Sequence, residues 1–392
     1  MTRQDREELA RLEGKEKLDD REYVRYEYLK RQTELAEVER VFRENQAAPY
    51  EEKVSRAGNL AWEFYNKMQG QCYVAVGGLD SLTLLCFLRR EGIHVPAVSV
   101  SSLEDASIQA IHRELGVEEL KPAKSKVEVL REHGWPVLSK EIAGKIDTLQ
   151  HPTEKNRTVR HAIITGQTGR QGGYRTGSRM QLAKKWLELF GGMANEAEGT
   201  HYQTAPFQVS DKCCYYLKET PCNRYAKQTG RFPYMGLMAS EGGRREKALI
   251  RNGCNYISPT TARSCPFATF QRDDLLQLAL DLQVPVPEIY GEIVRDKDGH
   301  LRTTKAQRTG CTMCGFGIQL EKRPHRFDRL RERSPREWKF WMTHVMQDEN
   351  GIWYGWGRIL DYIGVAWRDR PDGNLEGQLD WLEETMRRDE AE

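Results

Sequence analysis

From residue 50 onward, apolar and polar positions fall into blocks that change period as the chain advances. "EEKVSRAGNLAWEFYNKM" (51–68) predicts an amphipathic helix. "CYVAV" (72–76) is a short apolar run and predicts a strand. "DSLTLLCFLRREG" (80–92) sets Leu82, Leu85 and Leu88 three apart and stops at Gly92, as a helix does. "HVPAVSV" (94–100) reads as a second strand and "LEDASIQAIHRELG" (103–116) as a second helix closed by Gly116. "EELKPA" (118–123) suggests a short third strand, and "SKVEVLREHG" (125–134) a third helix with Ser125 as its cap. Alternation at this spacing predicts an α/β fold, a Rossmann-like parallel sheet covered by helices.

Other segments break the alternation. Residues 1 to about 45 are dense in Arg, Lys, Asp and Glu, which suits a solvated helical arm or an arm that docks a protein partner. Pro49 ends it. "TGQTGRQGGYRTGSRM" (165–180) reads as a long loop, either an active-site loop or an ordinary surface one. "QRDDLLQLALDLQVPVPEIYG" (271–291) returns to a helix followed by a Pro-bounded segment. The expected division is a charged helical arm (1–50), a nucleotide-loop domain (51–320) and a basic, Trp-rich C-terminal extension (321–392).

Composition narrows the setting. The 392 residues are 39% hydrophobic and 30% charged, enough for a core under a solvated surface. A net charge of +2 marks neither a nucleic-acid binder nor a membrane binder as a whole. No apolar run approaches the ~20 residues of a membrane span, and the N-terminus lacks the apolar core of a signal peptide. A cytoplasmic setting is expected. There, close pairs among the nine cysteines point to metal or redox chemistry rather than disulfides.

The first strand-to-helix turn carries the chemistry. Gly77 and Gly78 let the backbone bend and approach a ligand closely. The N–H groups of Leu79, Asp80 and Ser81 open the helix and suit an anion. The Ser81 hydroxyl offers one more donor, and Asp80 beside a phosphate calls for Mg²⁺ between them. In an open parallel sheet this turn lies where ligands bind.

"VGGLDS" (76–81) resembles the S-G-G-x-D-S pyrophosphate loop of the adenine nucleotide α-hydrolase superfamily. That superfamily includes phosphoadenylyl-sulfate (PAPS) reductases, ATP pyrophosphatases and sulfurtransferases of tRNA or DNA. The resemblance implies that Val76, Gly77, Gly78, Leu79, Asp80 and Ser81 grip the phosphates of ATP, or the phosphosulfate of PAPS. Val76 replaces the first Ser of that loop. Leu79 stands where PAPS reductases often carry Lys, and is common in members that cleave ATP. "YMGLMASEGGRREKAL" (234–249) is similar to the family's G-x-R-x-x-E-S-x-x-R: Gly236, Glu241 and Arg245 match, while Met238 and Gly242 do not. Arg244 or Arg245 suits a phosphate or sulfate. "PFATFQRDDLLQLALDL" resembles a further stretch of the family, with Phe270 in place of Trp. The likeness runs in order over about 55–330 and is nearest to members from phages and mobile elements.

The cysteines are the second signal. Cys213 and Cys214 are adjacent, and Cys311 and Cys314 form C-x-x-C. Four thiolates suit a [4Fe–4S] cluster or zinc, and spacing does not choose. The arrangement is similar to that of adenylyl-sulfate reductases, which implies a [4Fe–4S] cluster with Lys218 beside it. Cys222, Cys254 and Cys265 read as core, as substitute ligands or as persulfide carriers, and Cys72 and Cys86 as core. PAPS and adenylyl-sulfate reductases use a C-terminal cysteine, yet no cysteine follows Cys314. The tail instead holds basic residues from Lys322 to Lys339 and then several Trp, which suits nucleic acid or a charged helix before a Trp-packed core.

The expected activity is therefore ATP-dependent adenylylation of a substrate, with nucleic acid among the candidates, followed by sulfur transfer. Asp80 would hold Mg²⁺, Ser81 would cradle phosphate, Arg245 would bind an anionic substrate, and "SVSSLED" (99–105) would lie against adenine or ribose. Two alternatives stand beside it: a PAPS or adenylyl-sulfate reductase using an external thiol, and a non-catalytic nucleotide-binding subunit of a mobile-element or defence complex.

Overall fold

Strand β1 (Cys72–Ala75) is the centre of a six-stranded sheet. Its register to β2 (Ala97–Ser99) on one side and β4 (Phe232–Met235) on the other is parallel, with Ala75 opposite both Val98 and Met235. The order is β3-β2-β1-β4-β6-β5, where β3 is Glu118–Glu119, β5 is Asn255–Ile257 and β6 is Ala262–Ser264. Only β5, paired to β6, runs antiparallel. Neighbours in sequence leave β1 toward one edge and the later strands fill the other. That reversal opens a crevice at the carboxyl end of β1. The α/β, Rossmann-like class expected from the alternation is what the sheet shows.

The computed structural model describes residues 2–168, 180–194 and 202–368. It divides into two compact units, 1–126 with 214–312 and 127–213 with 313–392. These units are discontinuous along the chain, whereas the boundaries near 50 and 320 follow composition. Most of the Gly/Arg/Thr-rich segment at 165–180 lies outside the described residues, as do residues 369–392 of the extension. Among the described residues no helix is long and apolar enough to cross a membrane.

The first unit holds the sheet. α1 (Arg3–Glu13) and α2 (Asp20–Ala47) form the charged arm, each opened by a capping box, at Thr2 and at Asp19. The arm is not wholly solvated: Leu9, Leu12 and Leu29 bury against each other, and Phe42 enters a cluster with Ala239, Leu249 and Cys265. α3 (Tyr50–Lys67), α4 (Leu79–Arg90) and the helix Arg272–Asp281 bury Ala57, Phe64, Leu82, Leu85, Leu275 and Leu278 with β1. α5 (Ala106–Glu114) adds Ile108. Leu82, Leu85 and Leu88 are all buried, as their spacing predicts. Phe270 is buried and stacks on Phe267 at 4.6 Å.

The second unit is mainly helical. Its core gathers Trp135, Leu149, Phe190, Val209, Phe327, Trp356 and Trp367. Trp356 and Trp367 are thus packing residues, while Trp353 is exposed. The basic stretch forms two helices, Arg326–Arg333 and Pro335–Thr343. Part of its charge is used internally: Arg323 pairs with Asp328, Arg326 with Glu321, and Arg331 lies 5.2 Å over the Trp338 ring. Lys322, Arg333, Arg336 and Lys339 remain exposed.

One buried ion pair ties α3 to the helix after Phe270. Lys53 Nζ lies 2.8 Å from Asp274 Oδ2, and both side chains are largely buried. Removing one partner strands a buried charge. Lys53→Met is expected to destabilise the first unit by about 3–5 kcal/mol, read by chemical denaturation. The double variant with Asp274→Leu should recover much of that loss, because the stranded carboxylate is gone.

Candidate functional site

The 76–81 loop joins β1 to α4 in the crevice. Gly78 stands at the cap position of α4 and supplies no side-chain cap. The first N–H groups of the helix are therefore left to other partners. The Gly77 N–H donates to Ser81 Oγ at 2.7 Å, and that hydroxyl donates to the Gly78 carbonyl at 3.0 Å. Ser81 thus closes the loop on itself instead of offering its hydroxyl outward. The Leu79 N–H donates to Tyr290 Oη at 3.1 Å, and Tyr290 pairs with Thr309 Oγ1 at 2.6 Å. Burial pushes the Tyr290 phenol up to about 12, so it stays a neutral hydroxyl. A Cβ on Gly78 would lie 2.2 Å from Tyr290 Oη, so this position requires glycine. Val76 is a buried wall of the core, and its N–H donates to Val98 in β2.

His112 holds the loop from behind. Its Nε2 is 2.8 Å from the Gly77 carbonyl and its Nδ1 2.8 Å from Ser101 Oγ. A carbonyl only accepts, so Nε2 carries the proton and Nδ1 accepts from Ser101. Burial holds the His112 pKa below its ordinary value.

Two carboxylates sit at the helix side of the loop. Asp80 Oδ1 is 2.5 Å from Arg272 Nη1. Burial raises the Asp80 pKa, with Arg272 opposing and Glu241 reinforcing the shift. Glu241 takes Arg245 at 2.5 Å and also Arg308. The sequence-predicted Glu241 and Asp80 are thus electrostatic neighbours. Arg245, expected to bind a substrate anion, is here a partner of Glu241.

Beside the loop a cleft of about 840 Å³ runs between the sheet and the helix Thr220–Thr229. Ala75, Val76 and Gly77 line it with Ser99, Val100 and Glu104, part of the segment expected against adenine or ribose. Cys222 also lines it, outside the core that was one of its sequence readings. Glu104 Oε1 is 2.5 Å from Lys218 Nζ. Burial would lower the Lys218 pKa, but Cys311, Glu104 and Cys214 outweigh it and raise it. So Cys214 and Cys311 act on Lys218 within the first unit, whereas Cys213 and Cys314 belong to the second. Among the described residues no three His, Cys, Asp or Glu side chains converge on a metal position. Cys254 and Cys265 lie in or against a buried cluster, as expected.

Comparisons add little to this geometry. No protein-family model matches the chain, and no curated protein matches it. Among solved structures the chain is similar to the phosphoadenylyl-sulfate (PAPS) reductase from Candida auris in its phosphate complex. The identity is 12% and the TM-score 0.29, over 59% of this chain and 83% of that one.

Arg272, Tyr290, Thr309, Arg308 and His112 escaped the sequence reading. None belongs to a local pattern around the loop, and only their packing brings them there.

A neutral buried His112 makes stability depend on pH. The unfolded chain takes up a proton near the ordinary His value of about 6.5, and the folded one only lower. The contribution is therefore present above about pH 6.5 and is lost as pH falls toward the depressed folded value. In denaturation series, His112→Gln should flatten that acid-side loss.

Proposed function

We infer that the first unit binds a Mg²⁺-complexed adenine nucleotide through the 76–81 loop and releases pyrophosphate, adenylylating a substrate for sulfur transfer. One observation carries this reading: the uncapped loop lies at the switch point of a parallel sheet, next to a large cleft and two carboxylates. Ligands of open α/β sheets bind at that place.

The residues divide the work. The cleft walls at Ala75, Val76, Ser99 and Val100 would take the adenosine. The N–H groups at the start of α4 would face the phosphates, where the helix dipole favours negative charge. Asp80, with Glu241 beside it, would hold Mg²⁺, which when bound would offset charge on the leaving pyrophosphate. Arg245 would face an anionic acceptor once released from Glu241. Exposed Lys322, Arg333, Arg336 and Lys339 make nucleic acid the acceptor to test first, since phosphate contacts from such residues fall off steeply with salt.

The accessory-subunit reading has one observation in its favour. The Leu79 N–H, which a phosphate would use, is already taken by Tyr290. A reductase reading, with PAPS and an external thiol, requires binding of PAPS in place of ATP.

MgATP should raise thermal stability by about 2.7 kcal/mol at a hundred times Kd, and Asp80→Asn should remove most of that gain. Pyrophosphate should appear when an acceptor is present. Stimulation by tRNA or DNA that vanishes on changing Arg333, Arg336 and Lys339 to Ala supports a nucleic-acid acceptor. ATP binding without pyrophosphate under any condition favours the accessory reading, and a response to PAPS alone the reductase reading.

The [4Fe–4S] cluster on Cys213, Cys214, Cys311 and Cys314 is a separate proposal and rests on the resemblance of their arrangement to that of adenylyl-sulfate reductases. No step is derived through it, because three donors do not converge among the described residues. Anaerobically purified protein should be brown with ~4 iron per chain, and Cys311→Ser should remove the colour. Stoichiometric zinc in colourless protein would replace the cluster with a zinc site.

A further inference from the structure

The loop lacks a base of its own. No Lys or Arg lies between Cys72 and Phe87. A di- or triphosphate bound there needs cations from elsewhere. We propose that Arg272 and Arg308 are those cations: they rest on Asp80 and Glu241 in the free protein and pass to the phosphate oxygens when Mg²⁺ engages the carboxylates. The assignment rests on the reading that the loop binds phosphate.

Arg272 enters from the first turn of the helix Arg272–Asp281. Its Nη1 meets Asp80 Oδ1 at 2.5 Å, and its Nη2 donates to the Gln307 carbonyl at 2.9 Å. Its Nε is fully buried and has no partner among the described residues. A guanidinium has five donors in a fixed fork. A buried donor left open is unfavourable, and an anion held beside Asp80 would supply an acceptor for it.

Arg308 comes from the segment that crosses the loop. Three consecutive residues are pinned there: the Gln307 carbonyl to Arg272, Arg308 to Glu241, and Thr309 Oγ1 to the Tyr290 hydroxyl that takes the Leu79 N–H. Arg308 is 56% exposed, so its guanidinium reaches solvent beside Glu241. It also acts on Asp80, lowering its pKa against the effect of burial. Glu241 already has Arg245 at 2.5 Å and does not require a second cation. Three guanidinium groups thus face two carboxylates, a surplus of one positive charge beside uncapped helix N–H groups. Arginine is also the residue whose fork matches phosphate oxygens two at a time.

The test is calorimetric titration of the full chain with magnesium pyrophosphate, MgATP and AMP, for wild type, Arg272→Met and Arg308→Met. Each variant should lose pyrophosphate and ATP affinity by about tenfold or more, the scale of one charge-assisted hydrogen bond, while AMP, which lacks the outer phosphates, binds as before. Arg308 is half-exposed, so its variant keeps the proposal falsifiable even where Arg272→Met fails to fold. Variants that bind pyrophosphate as wild type does overturn the assignment and leave the loop reading intact. Equal weakening of AMP also overturns it, since the arginines would then support the fold and not the outer phosphates. A wild type that binds neither pyrophosphate nor ATP overturns both.

Discussion

The absence of a Cβ at Gly236 is the constraint on which the site depends. A side chain there would lie 2.9 Å from the Asp80 carbonyl oxygen and 3.0 Å from the Ser81 Cα. The end of β4 therefore lies directly on the first turn of α4, backbone to backbone. That contact fixes the loop between the two strands that diverge at the switch point. It also fixes Glu241, five residues beyond Gly236, near Asp80. Gly78 makes the complementary allowance on the opposite side, admitting the Tyr290 hydroxyl.

Electrostatics around this junction follow from burial. Asp80 sits where desolvation disfavours its charge, and Arg272 offsets the penalty only in part. Glu241 takes two arginines. His112 responds the opposite way, staying neutral and spending its two nitrogens on the Gly77 carbonyl and Ser101. Lys218 and Glu104 neutralise each other at the cleft.

Local features of the fold were legible and distant ones were not. The strand, two glycines and helix at 72–90 lie within twenty residues, and periodicity and turn chemistry define them. Leu82, Leu85 and Leu88 identify the buried face for the same reason. Arg272 meets Asp80 across 192 positions, and Tyr290 meets Leu79 across 211. No period or spacing encodes such a meeting, because it is decided by which helix packs on which strand. Which of its readings Cys222 would meet was hidden for a related reason. A cysteine on a short helix reads as core, but the helix Thr220–Thr229 turns Cys222, Asn223 and Ala226 toward a cleft. In the Trp-rich tail, Trp356 and Trp367 lie in a core, as one of its two readings expected, while Trp353 is exposed.

The substitution at Val76 has a physical reading beyond the loss of a hydroxyl. Its side chain is part of the buried cluster under the loop, and its N–H belongs to the sheet. A serine there would add a polar group to an apolar wall. The Gly77 N–H, next along the chain, is satisfied by Ser81 instead. Of the donors at the start of α4, the N–H groups of Gly78 and Asp80 have no protein partner among the described residues, and that of Leu79 has a neutral hydroxyl. A phosphate oxygen is a stronger acceptor than a phenol, because a charged partner makes the shorter and stronger hydrogen bond. Under the proposed function, exchange of Tyr290 for phosphate at Leu79 would be favourable in hydrogen bonding and would release Tyr290 and Thr309 as a pair. The Leu79 N–H is thus closed by a weaker acceptor than the phosphate that the proposed function would bring to it, so the loop can keep its shape without a ligand and yield to one.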